Sequence, residues 1–407
     1  MINFEYYNPA KIIFGKGVEN GVGREVAKYG KRVLLHYGGG SIKRNGLYDR
    51  VVTSLKAEGL YVAELGGVQP NPRLSLVRKG VEICRENRID FILAVGGGST
   101  IDSSKAIAAA MRCKDDIWDY YLYDDKPIEG ALPVGVVLTI PAAGSESSDS
   151  SVITNEDGNY KRYIGGECLI PKFAFMNPEV TFTMPPHQIA NGCSDIVAHL
   201  MERYFTRVKH VDFTDRLIEG AIRTILYHGP MALENPTDYD VRAEIMWAGT
   251  LSHNDITGDR SQGDWASHQL EHELGGMFDI AHGAGLAAIW GSWARYVLKQ
   301  NPCRFAQLAV NVLNVPYSFG NDEKTALEGI AAMEDFFRSI GMPTSISDME
   351  IELTDAQIKE LAHKCSFMGR RTIGGFVTLN AADMENIYRM ARSFAIPFEA
   401  RYSLYLP

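Results

Sequence analysis

The first part of the chain alternates short apolar runs with amphipathic stretches. KRVLLHY (31–37) reads as a buried strand, followed by glycines and the helix-like LYDRVVTSLKAEG. LYVAELGG (60–67) reads as the next strand and LSLVRKGVEICRENR (74–88) as a helix. FILAV (91–95) is again a strand, then come glycines and the helical STIDSSKAIAAAMR, and VGVVLTIP (134–141) extends the same sheet. Alternating strand and helix with glycine at the strand ends predicts an α/β domain with a parallel, doubly wound (Rossmann-like) sheet and a ligand at its carboxyl edge.

The texture changes after about residue 184. MPPHQIANGCSDIVAHLMERYF opens a region with few strand-like runs and many amphipathic helical ones, among them ALEGIAAMEDFFRSIG and AADMENIYRMARSFA. The connection TFTMPPHQ is marked by proline. The expected organisation is an α/β dinucleotide-binding domain over residues 1–183 and an all-α, metal-binding domain over 184–407. A length of 407 residues also calls for more than one core.

Composition narrows the function classes. A net charge of −9 argues against general nucleic-acid binding, which needs a basic face. No apolar run reaches the ~18 residues of a membrane span, and MINFEYYNPAKIIFGKG lacks the basic-then-apolar pattern of a signal peptide. Cys84, Cys113, Cys168, Cys193, Cys303 and Cys365 are scattered without a CxxC pair. That suits reduced thiols in the cytoplasm better than a disulfide framework or a thiolate zinc site.

Two glycine loops carry candidate cofactor chemistry. In ILAVGGGSTIDSSKA, Gly96, Gly97 and Gly98 stand between strand and helix with Ser99 at the helix start. Glycine lets the backbone approach a diphosphate, and the open N–H groups of the helix start offer donors to its oxygens. The spacing is neither GxGxxG nor a P-loop, and a tight turn without ligand accounts for the same residues. The second loop, HYGGGSIKRNG (36–46), lacks the acid that usually accepts bonds from an adenosine ribose. Gly38, Gly39, Gly40 and Ser41 could bond a 2′-phosphate instead, with Lys43 and Arg44 offsetting its charge. NADP(H) is favoured over NAD(H) on this ground; the bland alternative is a solvated helix face.

The histidines cluster. Asp195 and His199 in CSDIVAHLMERYF are four apart, so a helix sets both on one face. His268 and His272 repeat that spacing in SHQLEHELGG, and His282 follows. A carboxylate with several imidazoles suits Zn²⁺ or Fe²⁺. HQLEH is not HExxH, which excludes the metalloprotease pattern. Spacing leaves the choice between His268 and His272 open. His36, His187, His210, His228, His253 and His363 lack comparable clustering and take a structural reading.

NPAKIIFGKG (8–17), QPNP (69–72), GGGSTIDSSKAIA (96–108), LTIPAAGSES (138–147), NGCSDIVAHLMERYF (191–205), MWAGTLSHN (246–254) and GDWASHQLEHELGG (263–276) with His282-Gly283 follow one another along nearly the whole chain. In that order they resemble the iron-containing (group III) alcohol dehydrogenases, and among these the butanol dehydrogenase and broad-range aldehyde reductase branch. The resemblance implies Asp195, His199, His268 and His282 as metal ligands, with His272 beside the metal as a catalytic polar group. It implies Gly97, Gly98 and Ser99 on the pyrophosphate, and Asn71, Asp102, Thr139, Ser145 and Lys161 along the rest of the cofactor cleft. It further suggests a homodimer formed through the strands around FEYYNPAKIIF. Two positions depart from the family pattern. Ala143 replaces a common threonine before GSE, and Asn177 stands where aspartate is usual, which bears on cofactor affinity.

The expected reaction is metal-dependent hydride transfer between NADP(H) and short-chain aldehydes or primary alcohols, butanal and butanol standing for the class. The metal polarises the carbonyl as a Lewis acid, and His272 or a cofactor ribose hydroxyl relays the proton. Iron is favoured over zinc. Three competing readings are a cyclising lyase resembling dehydroquinate synthase, a non-catalytic metal- or nucleotide-binding protein, and an NAD-dependent diol or lactaldehyde dehydrogenase of the same family. The lyase needs extra basic residues around the metal motifs, and the last is disfavoured by the missing acid after KRVLLHY. Trp265, Met246 and Trp247 are candidates for an apolar substrate wall or for core.

Overall fold

The structure, a computed structural model, describes residues 2–123, 126–258 and 260–393. The C-terminal end of the expected second domain, 394–407, lies outside the described residues. Among the described residues, eight strands form before residue 177: β1 (Lys11–Phe14), β2 (Arg32–Tyr37), β3 (Tyr61–Leu65), β4 (Phe91–Gly97), β5 (Val134–Ile140), β6 (Ser150–Asn155), β7 (Tyr160–Gly165) and β8 (Phe173–Met176). Six of them make one parallel sheet in the order β1-β8-β5-β4-β2-β3. β6 and β7 pair antiparallel as a separate hairpin.

The apolar runs are continuous because the sheet is covered on both faces. Leu34, Ile92 and Val134 pack one way, against helices Leu74–Glu86 and Gly98–Ala110. Val33, Leu35, Phe91, Leu93 and Val137 pack the other way, against helix Leu47–Ala57. Gly135 in β5 makes room for the stacked rings of Phe91 and Phe173, since a Cβ there would stand 2.3 Å from Phe173 Cζ. After residue 185 the described chain is helical, and its core is one cluster from Met184 to Ala391.

The chain runs from β2 outward to β3 and then back across to β4, so the strand order reverses between β2 and β4. Ligands of open α/β sheets bind outside the carboxyl ends at such a switch point. Both glycine loops emerge there, Gly38–Ser41 from β2 and Gly97–Ser99 from β4. The sequence reading did not separate the β6–β7 hairpin or identify β8. The hairpin is half polar, and its place is set by helix Gly98–Ala110 on one side and helix Ala266–Phe278 on the other.

His36, at the end of β2, is fully buried and joins these parts. Its Nδ1 lies 2.7 Å from the Leu65 carbonyl oxygen and its Nε2 2.8 Å from Ser103 Oγ in the helix after β4. The neutral ring donates to the carbonyl and accepts from the serine. Burial pushes His36 from 6.5 down to about 4. The unfolded chain therefore takes up a proton between those values that the native chain does not. Stability from this group is complete above pH 6.5 and is lost as pH falls toward 4, by about 3 kcal/mol. Urea unfolding at pH 7.5 and 4.5 is expected to show a loss in the native protein larger by roughly that amount than in His36→Asn. Equal losses in both would reject the assignment.

Candidate active site

Helix Pro186–Tyr204 is buried along most of its length and carries Asp195, His199 and Glu202 on one face, at spacings of four and three. Helix Ala266–Phe278 brings His268, Glu271 and His272, and helix His282–Val297 begins at His282. The last is seated by a close approach. A Cβ on Gly283 would stand 2.2 Å from the Asn191 carbonyl oxygen, Ser194 Oγ donates to Gly283 O at 2.9 Å, and Ala284 N–H donates to Asn191 Oδ1 at 2.8 Å.

Asp195, His268 and His282 offer ligand atoms that all lie within 4.8 Å of one another. His199 flanks them, with Nδ1 2.9 Å from Asp195 Oδ1 and 3.4 Å from His268 Nε2. Its ring centroid is 6.5 Å from that of His282. Asp195 Oδ1 is buried without an aligned hydrogen bond. Such an orphaned carboxylate oxygen facing imidazole nitrogens is the donor set a divalent cation takes, so these residues fit the metal that the sequence pattern implies. Burial alone would raise the Asp195 carboxyl, but His199 and His282 outweigh it and hold the group below the usual carboxylate range.

Two glutamates back the rings. His268 Nδ1 lies 2.7 Å from Glu202 Oε1, and the same carboxylate accepts from Ser267 Oγ at 2.6 Å, His268 N–H at 3.0 Å and Trp265 N–H at 2.6 Å. Those bonds hold Trp265 in a left-handed conformation, φ 63°, at the start of its helix. Glu271 accepts from His282 Nδ1 and pairs with Lys161 Nζ at 3.1 Å. Outward-facing bonds of this kind fix a ligand's tautomer and ring orientation. Glu202 is legible in retrospect as the third acid or imidazole on the Asp195 face. His253, given a structural reading on sequence, stands 4.5 Å from the His199 ring and bonds the Ala143 carbonyl through Nδ1 at 2.7 Å.

His272 is half-buried, its ring 5.7 Å from that of His282, and it forms a second close group with Glu271 and His282. Burial first, and then the Lys161 charge, push its imidazole well below 6.5. Trp265 lies against the cluster, 5.3 Å from the His268 ring. Met246 is core, and Trp247 is surface-exposed against Phe14.

The cofactor candidates line the sheet's carboxyl edge. Gly97 ends β4 and Gly98 opens helix Gly98–Ala110, which has no side-chain cap on its first N–H groups. Ser145 Oγ would stand 3.4 Å from a Cβ on Gly98, so Ser145, Gly98 and Ser99 share one corner. Asp102 Oδ2 accepts from Val152 N–H at 3.0 Å, Oδ1 is buried without an aligned hydrogen bond, and burial raises the carboxyl to about 6. Thr139 is half-buried near the end of β5. The buried Lys105 anchors the following loop, donating to Ser148 O at 2.8 Å and Ser150 O at 2.9 Å. Gly38 to Ser41 sit apart from this corner at the end of β2, with open space around Gly39 and Gly40. Asn71, at φ 54°, donates to Asp279 Oδ1 at 2.9 Å and Ile280 O at 3.0 Å across the cleft. Asn177 donates to Glu19 Oε2 at 3.1 Å and caps the turn at Glu179, so its departure from the family pattern serves the fold.

Comparison with known proteins agrees along most of the chain. The family model for iron-containing alcohol dehydrogenase matches residues 9–178, and that for the C-terminal part of the Fe-containing alcohol dehydrogenase family matches 189–392. The chain is 43% identical over 389 residues to the probable NADH-dependent butanol dehydrogenase 1 of Bacillus subtilis (strain 168), covering 96% of this chain and 99% of the relative. It is 37% identical to the NADPH-dependent aldehyde reductase YqhD of Escherichia coli (strain K12), covering 96% and 100%. The crystal structure of NADH-dependent butanol dehydrogenase A from Thermotoga maritima superposes with a TM-score of 0.90 at 36% identity, covering 96% and 99%. The chain belongs to the iron-containing alcohol dehydrogenase family and is an oxidoreductase acting on CH–OH groups, dependent on a divalent metal and a nicotinamide cofactor.

Proposed function

We propose that this protein interconverts short-chain aldehydes and primary alcohols of the butanal and butanol type, using NADP(H) in preference to NAD(H) and Fe²⁺ in preference to Zn²⁺. The observation that carries the reading is the meeting of the buried Asp195 and His268 with the half-buried His282, their ligand atoms within 4.8 Å of one another. Asp195, His199, His268 and His282 hold the metal. Gly97, Gly98 and Ser99 hold the pyrophosphate, with Asn71, Asp102, Thr139, Ser145 and Lys161 along the remaining cofactor. When bound, the metal supplies Lewis acidity toward the carbonyl oxygen and the nicotinamide supplies the hydride. His272 moves the proton between solvent and the product oxygen, and Trp265 presents an apolar wall to a short aliphatic chain.

The cofactor choice rests on Gly38, Gly39, Gly40 and Ser41 as the seat of a 2′-phosphate, with Lys43 and Arg44 beside it. Glu64, the acid on neighbouring β3, supports this because it is already engaged by the Tyr37 and Tyr48 hydroxyls, with Lys43 3.9 Å away. The named relatives include both NADH- and NADPH-dependent enzymes, so the preference turns on this loop. Edge strand β1 pairs only with β8 among the described residues, and Phe4, Tyr6 and Tyr7 before it are exposed. A second copy docked there makes the homodimer. We place the division between the two domains after residue 183. Six free thiols support a cytoplasmic setting, and no helix among the described residues is long and apolar enough to cross a membrane.

Metal-replete protein is expected to oxidise NADPH with butanal faster than NADH, and to lose the activity on chelation and regain it with Fe²⁺. A preference for NADH would overturn the reading of Gly38–Ser41. Absence of turnover with either cofactor and several short aldehydes would favour the lyase or the binding protein. His272→Ala is expected to lower kcat on the order of 10²-fold while metal content stays at the native level. Loss of metal in that variant would make His272 a ligand.

A further inference from the structure

Glu271 is a carboxylate with no solvent exposure, wedged between Lys161 and His282. It accepts from His282 Nδ1, and its Oε2 and Oε1 stand 3.1 Å and 3.4 Å from Lys161 Nζ. Lys161 Nζ is itself 3.3 Å from His282 Nδ1. One imidazole nitrogen therefore faces a carboxylate and an ammonium together, and the two favour opposite tautomers. An ammonium has only donors. Pairing with Lys161 needs a bare Nδ1 and leaves the ring proton on Nε2. An ionised carboxylate only accepts. Pairing with Glu271 needs Nδ1–H and leaves the Nε2 lone pair free. Nε2 is the nitrogen turned toward Asp195, 3.8 Å from Oδ1, and a protonated nitrogen has no lone pair for a metal.

The surrounding backbone makes space for this acid. A Cβ on Gly275 would stand 2.9 Å from Lys161 Nζ and 3.0 Å from Glu271 Oε1. A Cβ on Gly285 would stand 2.7 Å from Glu271 Cγ. Two different helices thus omit a side chain where the Lys161–Glu271 pair lies.

We propose that Glu271 is the positioning residue that holds His282 in its metal-ligating tautomer against the opposing demand of Lys161. The proposal rests on the reading of His282 as a ligand. Glu271 acts through the ring, and its presence lets an ammonium sit within hydrogen-bond distance of that ring without turning it into the wrong donor.

The test uses metal-free full-length protein, Zn²⁺ as the probe in chelator competition, and ¹⁵N-histidine NMR to read each ring's tautomer. Metal-free native protein is expected to show His282 as Nδ1–H, and Glu271→Gln to shift it toward Nε2–H and weaken Zn²⁺ binding about 10- to 100-fold. Adding Lys161→Met to Glu271→Gln is expected to restore most of that affinity, while Lys161→Met alone leaves it within about threefold of native. An Nε2–H ring in the metal-free native protein overturns the proposal without recourse to any variant. So does folded Glu271→Gln with native affinity, and so does a double variant that recovers nothing. His282→Ala separates the two levels of the argument. Native affinity in that variant means the ligand reading is wrong, whereas lost affinity there with none lost in Glu271→Gln rejects Glu271 alone.

Discussion

Asp195, Glu202 and Glu271 are three carboxylates buried in one shell of histidines, and the architecture around them is shaped by the need to satisfy that charge. A buried carboxylate left unpaired costs several kcal/mol, so each must find cations or donors of good geometry. Glu202 takes two backbone N–H groups, a serine hydroxyl and a ring nitrogen. Glu271 takes Lys161 and His282. Asp195 alone keeps an oxygen without an aligned donor, and that oxygen faces the site. The left-handed backbone at Trp265 and the bare backbone at Gly275, Gly283 and Gly285 follow from bringing these groups so close.

The sheet contributes a second, more rigid constraint. The two glycine loops must keep a fixed separation if one dinucleotide is to span them. His36 ties β2 and β3 to the helix after β4 through two short bonds, and Lys105 ties that helix to the loop after β5. Both side chains are buried. They set distances between the two glycine loops and the loop after β5, and their polarity is tolerated because each is satisfied.

Much of this was legible in the residues. FILAV and KRVLLHY are buried on both faces, and continuous apolar runs identify such strands without reference to neighbours. Asp195 with His199, and His268 with His272, were visible because helix spacing is a local property. The acids behind the rings were harder. Glu202 and Glu271 look like surface glutamates on amphipathic helices, and only the packing of three helices buries them. Spacing offered one clue, since Glu202 lies seven residues after Asp195 and Glu271 three after His268. His253 offered none, because it comes from the end of a separate helix, Tyr239–Ser252. The β6–β7 hairpin escaped for a related reason: SSVITN and YKRYIG are mixed in polarity, and helices outside the sheet decide which of their faces is covered.

His268 and His272 differ in surroundings that their spacing does not reveal. The two rings are one turn apart on one helix, and each forms a close group that includes His282. Their surroundings differ. His268 is buried, with Nδ1 on Glu202 and Nε2 toward His199 and the Asp195 side. A ring held at one nitrogen by a carboxylate presents the other as a basic, oriented donor, which is what a metal ligand needs. The hydrogen bonds among the described residues include none to the His272 ring, which is half-buried beside Glu271 and His282. Glu202, on a different helix, thus fixes one of the two histidines and leaves its neighbour one turn on without such a bond.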